Sequence, residues 1–340
     1  MKIGNRNISN TDKTFVIAEI GSNCKGDLLL AKEHIDAAYN AGADAVKFQS
    51  LNMNKLYLNP SSDIRSLYKK IDLEESLHND LKNYSDKLGI TFFSSPTYLD
   101  AVELLDNLNV SLFKIASAQV GTFPRLIDKV AKTGRPTLFS TGLADYERLA
   151  HTVNIFEDNN NKNYAILHCN SIYPTPYKKV FLDRISVYKK MFDCPVGFSD
   201  HTDGTAIILA AVALNANIIE KHFKLDSVSD TPDAPFSIGF DKFSEMVEDI
   251  RSIEQACMSK PRLKIDKEEV KFQTEISYKL VLKNTKKRGD RLTLNDFDYM
   301  RTPEGIDCSL DDFIVENFVL ANDLRQGSML SWVNLLGFSK

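Results

Sequence analysis

The stretch PVGFSDHTDGTAIILAAVALNANIIEKHF, Pro195–Phe223, decides the fold. It opens on a short apolar run, Pro195–Asp200, passes through a segment of helical spacing, Thr205–Leu214, and closes on a second apolar run, Ile218–Phe223. Both runs end in polar residues, Ser199-Asp200-His201 and Glu220-Lys221-His222. Short runs that are apolar throughout are the mark of strands buried on both faces. Working outward, six more such runs precede them: Phe15–Gly21, Val46–Gln49, Thr91–Ser95, Leu112–Ser117, Pro136–Thr141 and Ala165–Asn170. Helical spacing intervenes at Leu28–Asn40, Asp100–Leu108, Pro124–Thr133, Tyr146–Phe156 and Leu182–Phe192, and Gly42, Gly89 and Gly134 punctuate helix exits. Eight alternations of strand and helix predict an α/β fold, a right-handed (β/α)8 TIM barrel.

The pattern changes after a last amphipathic segment, Phe243–Ala256. Residues 1–258 are assigned to the barrel, 259–274 to a charged linker carrying Pro261, and 275–340 to a small, mostly β domain. Its strand-like pieces are Tyr278–Leu282, Phe297–Met300, Phe313–Leu320 and Met329–Val333. Such a unit is near the lower size limit for folding alone and is expected to lean on the barrel or on a second subunit. The 340 residues carry a formal charge of 42 − 46 = −4, with 43% hydrophobic and 26% charged content. That balance offers no basic excess for nucleic acid. No apolar run approaches a membrane span, and the N-terminus lacks a signal-peptide core. Five scattered cysteines without a CxxC fit a reduced, cytoplasmic compartment.

Barrel enzymes gather their chemistry at the C-terminal ends of the strands. Those ends carry Glu19; Lys47 and Gln49; Ser94 and Ser95; Lys114, Ser117 and Gln119; Ser140 and Thr141; His168, Asn170 and Tyr173; Ser199, Asp200 and His201; Glu220, Lys221 and His222. A lysine ending an apolar strand is costly unless it faces a polar cavity, so Lys47 and Lys114 read as functional. Lysines and hydroxyls around one mouth suit a phosphate or a carboxylate. His201 and His222, on neighbouring strands with a carboxylate nearby, suit a divalent metal with open positions. His34, His78 and His151 lie on helical segments and read as structural, while His168 stands open between the two readings.

At these residues the chain resembles the sialic acid (nonulosonate) synthases. The resemblance rests on AEIGSN (Ala18–Asn23), AGADAVKFQ (Ala41–Gln49), FSSP (Phe93–Pro96), FKIAS (Phe113–Ser117), STG (Ser140–Gly142), HCNSIYPTPY (His168–Tyr177), GFSDHT (Gly197–Thr202) and IEKHF (Ile219–Phe223). RTPEGI (Arg301–Ile306) resembles a motif of that family's antifreeze-like SAF domain. The resemblance implies condensation of phosphoenolpyruvate with an N-acylated mannosamine-type or diacetamido-trideoxyhexose sugar, releasing phosphate. It implies Mn²⁺ or Mg²⁺ on His201 and His222, with Glu19 beside the reacting water. Lys47, Lys114, Ser117, Ser140 and Ser199 would hold phosphoenolpyruvate; Gln119, Ser171, Tyr173, Asp233 and Arg301 would meet the sugar. Arg301 would come from the partner in a domain-swapped homodimer.

The departures concern mostly the sugar. Asn23-Cys24-Lys25-Gly26 stands where the family reads NHxG, Gln119 where it often has an acid, and Ser171 where it commonly has Asn. Pro232-Asp233-Ala234 and Ser277-Tyr278-Lys279 also differ. A Gln amide can donate as well as accept, which suits an acetamido or deoxy position. Two alternatives stay open: a catalytically silent sugar-binding homologue, and a phosphoenolpyruvate-dependent aldolase using a phosphorylated sugar. The second would need further basic residues at the mouth, where the sequence offers only Lys221 and Arg301 beside the two strand-end lysines.

Overall fold

A computed structural model describes residues 1–257 and 262–337. The chain divides into two compact units, 1–259 and 260–340, and the predicted boundary at 258/259 lies outside the described residues.

In the first unit, a small antiparallel pair, β1 (Lys2–Ile3) and β2 (Arg6–Asn7), precedes the barrel. The barrel strands are β3 (Phe15–Glu19), β4 (Ala45–Ser50), β5 (Thr91–Pro96), β6 (Phe113–Ile115), β7 (Thr137–Ser140), β8 (Tyr164–Cys169), β9 (Val196–Asp200) and β10 (Ile218–His222). They form one parallel sheet in the order β5-β4-β3-β10-β9-β8-β7-β6, and β5 lies against β6 to bring the sheet almost to closure. Each of the eight predicted runs overlaps one of these strands to within one or two residues at either end.

Side chains alternate across a strand, and that parity sorts the whole layer. Phe15, Ile17, Ala45, Phe93, Leu112, Leu138, Ala165, Leu167 and Ile218 form one apolar cluster that fills the barrel. Their neighbours of opposite parity, such as Val16, Val46, Phe113, Phe198, Ile219 and Phe223, join a larger cluster with the helices. Continuing the inward parity toward the strand ends leads from apolar to polar: Ile17 to Glu19, Ala45 to Lys47, Leu112 to Lys114, Leu138 to Ser140, Ile218 to Glu220 and His222.

The β4–β5 connection holds three helices, Met53–Leu56, Ser62–Ile71 and Leu77–Leu88, that sequence spacing does not announce. Leu77–Leu88 fills the helical place between those strands, yet it buries only His78, Leu81 and Ser85, so its apolar stripe is too thin to read. Gly42, Gly89 and Gly134 all adopt positive φ at helix exits, as predicted.

The second unit differs from its sequence reading. Lys267–Ile276, partly inside the predicted linker, is a helix capped reciprocally by Asp266 and Glu269, with no buried residue. β11 (Tyr278–Leu282) and β12 (Phe297–Arg301) pair antiparallel. The expected strand Phe313–Leu320 is mostly helix, Asp311–Asn317, and only β13 (Phe318–Leu320) is extended; it pairs with β14 (Leu335–Gly337). Within Met329–Val333 only one isolated bridge forms, from Met329 to Val281. Ile314 explains the exchange, because this short helix carries it into the core with Leu280, Phe297 and Leu320.

Candidate active site

The inward polar ends line a cavity of about 430 Å³. Glu19, Lys47, Lys114, Ser117, Ser140, Ser171, Tyr173, Ser199, His201 and His222 all reach it, so strand parity and the loops beyond the strand ends together bring in most of the predicted site. Asp233 stands beside it, 3.8 Å from His222 Nδ1, with its Oδ2 accepting from the Ser22 backbone N–H at 2.8 Å. That approach requires Gly21: its φ is +50°, and a Cβ there would overlap Asp233 Oδ2.

Gln119 lies next door. It lines a neighbouring cavity of about 570 Å³ with Lys55, Tyr98, Asp100 and Thr122, and that cavity shares Thr97 and Ala118 with the central one. Its Oε1 is buried without a hydrogen-bond partner. Arg301 belongs to the second unit, where it ends β12 and stacks over Tyr278 at 5.2 Å.

Residues of the opposite parity are excluded. Lys221, counted above among the cations at the mouth, points into the helix layer and pairs with Asp200 at 2.7 Å, both side chains fully buried. His168 faces outward too. Its Nε2 meets the Val180 carbonyl at 2.5 Å, and burial holds the ring down to about 4, so it is a neutral structural histidine. Ser94 closes a buried network with Ser50 and His78. Cys24 is buried behind the cavity wall, and burial pushes its thiol up to about 11, which leaves it protonated.

The cavity floor is a charge lattice. Lys47 Nζ lies 3.0 Å from Glu19 Oε2 and 3.2 Å from Glu220 Oε2. Lys114 Nζ lies 3.9 Å from Glu220 Oε1 and donates to Ser140 Oγ at 2.5 Å. Ser199 donates to Glu220 Oε1 at 2.7 Å. Glu220 is therefore the hub, and it is the site residue to which sequence reasoning gives no role. The signal is its parity, two residues before His222. Burial alone would raise its carboxyl, but Lys114 and Lys47 outweigh that and hold it down at about 2. Burial pushes Glu19 up to about 7 against the pull of Lys47, and Gln49 donates to its Oε1 at 2.7 Å. Burial lowers Lys114, while for Lys47 it is overcome by Glu19 and Glu220, which raise it.

Above the floor the rings of His201 and His222 lie 5.4 Å apart. Tyr173 packs on His201 at 4.4 Å and Phe236 on His222 at 4.8 Å. Burial, then His222, pulls His201 down to about 3; burial, then Lys47, does the same to His222. Both are neutral, with lone pairs available. His201 Nδ1 sits 2.9 Å from the Asn170 carbonyl, so it carries the proton and frees Nε2. His222 Nδ1 is buried with no hydrogen-bond partner. Two neutral imidazoles, one with an orphaned nitrogen, fit a divalent cation that keeps other positions open. Among the described residues, no group of three or more His, Cys, Asp and Glu is arranged to hold a metal unaided.

Comparison with known proteins agrees with this architecture. The sequence pattern of the NeuB family matches residues 34–262. An uncharacterised protein of Methanocaldococcus jannaschii is 37% identical over 99% of both chains. The N,N'-diacetyllegionaminic acid synthase of Campylobacter jejuni is 35% identical, covering 86% of this chain and 92% of the relative. The crystal structure of N-acetylneuraminic acid (sialic acid) synthetase from Leptospira borgpetersenii, in complex with citrate, superimposes with a TM-score of 0.74 at 30% identity. It covers 80% of this chain and 95% of that one.

Proposed function

Because the chain belongs to the NeuB family of sialic acid synthase-type enzymes, we propose that it condenses phosphoenolpyruvate with an N-acylated hexosamine, releases phosphate and yields a nine-carbon 2-keto acid. One observation carries this reading: two buried lysines meet at Glu220 directly beneath two neutral imidazoles. Phosphoenolpyruvate bears a phosphate and a carboxylate, and two buried ammonium groups lining one pocket match that pair. Lys47 and Lys114, with Ser117, Ser140 and Ser199, hold it on the floor. Mn²⁺ or Mg²⁺ on His201 and His222 would polarise the acceptor's open-chain aldehyde.

Carbon three of phosphoenolpyruvate then forms the new bond to the aldehyde carbon, whose oxygen takes up a proton. Water adds at carbon two, and the C–O bond to phosphate breaks as the keto group forms. Glu19, whose carboxyl burial raises to about 7, would give and take a proton near neutral pH and manage that water. Tyr173, Ser171 and Asp233 border the sugar. Gln119 extends the acceptor site into the neighbouring cavity, where Lys55 is paired with Asp100 at 2.5 Å and so offers no unneutralised charge for a second phosphate. An uncharged substituent, such as the second acetamido group of a diacetamido-trideoxyhexose, suits that cavity. A homodimer in which Arg301 is exchanged between subunits is the assembly this reading expects.

The test is phosphate release from phosphoenolpyruvate with Mn²⁺, offering N-acetylmannosamine and diacetamido-trideoxyhexoses side by side, with His222→Ala as control. Release with one sugar, abolished in the variant, is expected. Release with none of them, or release undiminished in His222→Ala, refutes the proposal.

A further inference from the structure

We infer that the buried Asp200–Lys221 pair is a clamp that positions His201 and His222 relative to one another; this rests on the metal reading above. The two residues are direct neighbours in the β9–β10 register, each one step before a histidine. Parity turns the pair into the helix layer and the histidines into the barrel. Lys221 Nζ donates to Asp200 Oδ2 at 2.7 Å and to the Thr202 carbonyl at 2.6 Å. Asp200 Oδ1 accepts from the Thr202 backbone N–H at 2.9 Å. Residues 200 and 202 are thus both tied to Lys221, so the peptide bearing His201 is gripped on each side from the strand that carries His222. His201 lies just past the end of β9, where ladder hydrogen bonds no longer fix it.

Stability alone does not account for an ion pair there. Both side chains have zero exposure and lie on the face shared with Phe198, Ile219 and Phe223. A buried pair is often no more stabilising than apolar residues of the same volume. What apolar residues lack is direction. Three hydrogen bonds converge on the two positions flanking His201 and hold its backbone, while the Asn170 carbonyl orients its ring; the partner ring, His222, has no hydrogen bond at Nδ1 to orient it. Asp200 and Lys221 touch neither the cavity nor substrate, so they are positioning residues.

The experiment is calorimetric titration of the full chain with Mn²⁺, and separately with phosphoenolpyruvate in the presence of chelator, for wild type and for the double variant Asp200→Leu/Lys221→Met. The expected result is a folded double variant whose Mn²⁺ dissociation constant rises at least about tenfold, as for lost supporting contacts at metal sites. Phosphoenolpyruvate affinity without metal should fall by less than Mn²⁺ affinity, because Lys47 and Lys114 sit on other strands and the adjoining Ser199 and Glu220 face the opposite side of the sheet from the replaced pair. Unchanged Mn²⁺ affinity in the folded double variant overturns the inference. If that variant does not fold, Asp200→Asn decides: weaker Mn²⁺ binding with intact phosphoenolpyruvate binding supports the clamp, and equal loss of both overturns it. Wild type that binds phosphoenolpyruvate but no Mn²⁺ would instead remove the metal reading, and the clamp with it.

Discussion

Glu220→Ala is the most informative single change, because it removes the one carboxylate that Lys47, Lys114 and Ser199 share. Two ammonium groups would remain in a buried site with Glu19 as their only nearby carboxylate among the described residues. Holding the Glu220 carboxyl at about 2, against an ordinary 4.5, corresponds to about 3 kcal/mol favouring its charged form. Breaking a buried pair by deleting one partner costs about 3–5 kcal/mol, which agrees. For a unit of this size that is a fall of roughly 6–12 °C in the unfolding midpoint at pH 7. The pH dependence has a definite sign. A depressed carboxyl stabilises above its unfolded value and loses that contribution as pH falls through the folded one. The gap between wild type and variant should therefore narrow below about pH 4.5 and reach roughly 2 kcal/mol at pH 3.5. Thermal unfolding followed by circular dichroism at pH 7 and pH 3.5 reads both quantities. A loss under about 1 kcal/mol at pH 7, or a gap that does not narrow in acid, refutes the charge lattice as the organiser of the floor.

Glu19 behaves oppositely. Burial raises its carboxyl to about 7, so its contribution is complete below about 4.5 and is lost as pH rises through 7. Glu19→Gln should consequently gain on wild type between pH 5 and pH 8 in urea denaturation, and a stability difference that is flat with pH would contradict this. His168→Phe should leave phosphate release within about twofold of wild type, while costing about 1–2 kcal/mol for the bond left unmade at the Val180 carbonyl. Steady-state kinetics beside a denaturation curve decides it, and a rate loss of orders of magnitude would place His168 in the chemistry after all.

The barrel was legible because its signal is redundant. Eight apolar runs, each ending in polar residues, leave few alternatives, and each run needed only to be recognised as buried on both faces. Leu77–Leu88 was illegible for the converse reason: it covers the barrel with a stripe of three buried residues, and His78 and Ser85 are not apolar. The second unit misled at Phe313–Leu320, where apolar composition suits a strand, but a short helix is the geometry that seats Ile314 in a small core. Lys221 misled because a list of strand-end residues ignores parity. In IEKHF the glutamate and the histidine share a face, and the lysine between them cannot.

The same parity explains why the floor of the cavity reads more clearly than its mouth. Lys47, Lys114, Ser140, Ser199, Glu220 and His222 lie on strands, where position in the sequence fixes direction, and their placement follows from counting. Gln119, Ser171, Tyr173 and Asp233 lie beyond strand ends, in loops whose path depends on local devices. Ser22 with Gly21 steers Asp233, and Tyr173 is placed by its packing on His201 and Phe236. Gln119 shows the consequence. It follows β6 by four residues, yet it opens into the neighbouring cavity, separated from Lys114 by the turn at 116–122. Under the proposed function, the phosphoenolpyruvate end would rest on a rigid scaffold and the acceptor end on loops, which tolerate change more readily than strands. On that reading, substitutions at Gln119 and Ser171 should change which sugar is accepted with little loss of phosphate release, whereas Lys47, Lys114 and Glu220, which share one charge lattice, should tolerate change only together.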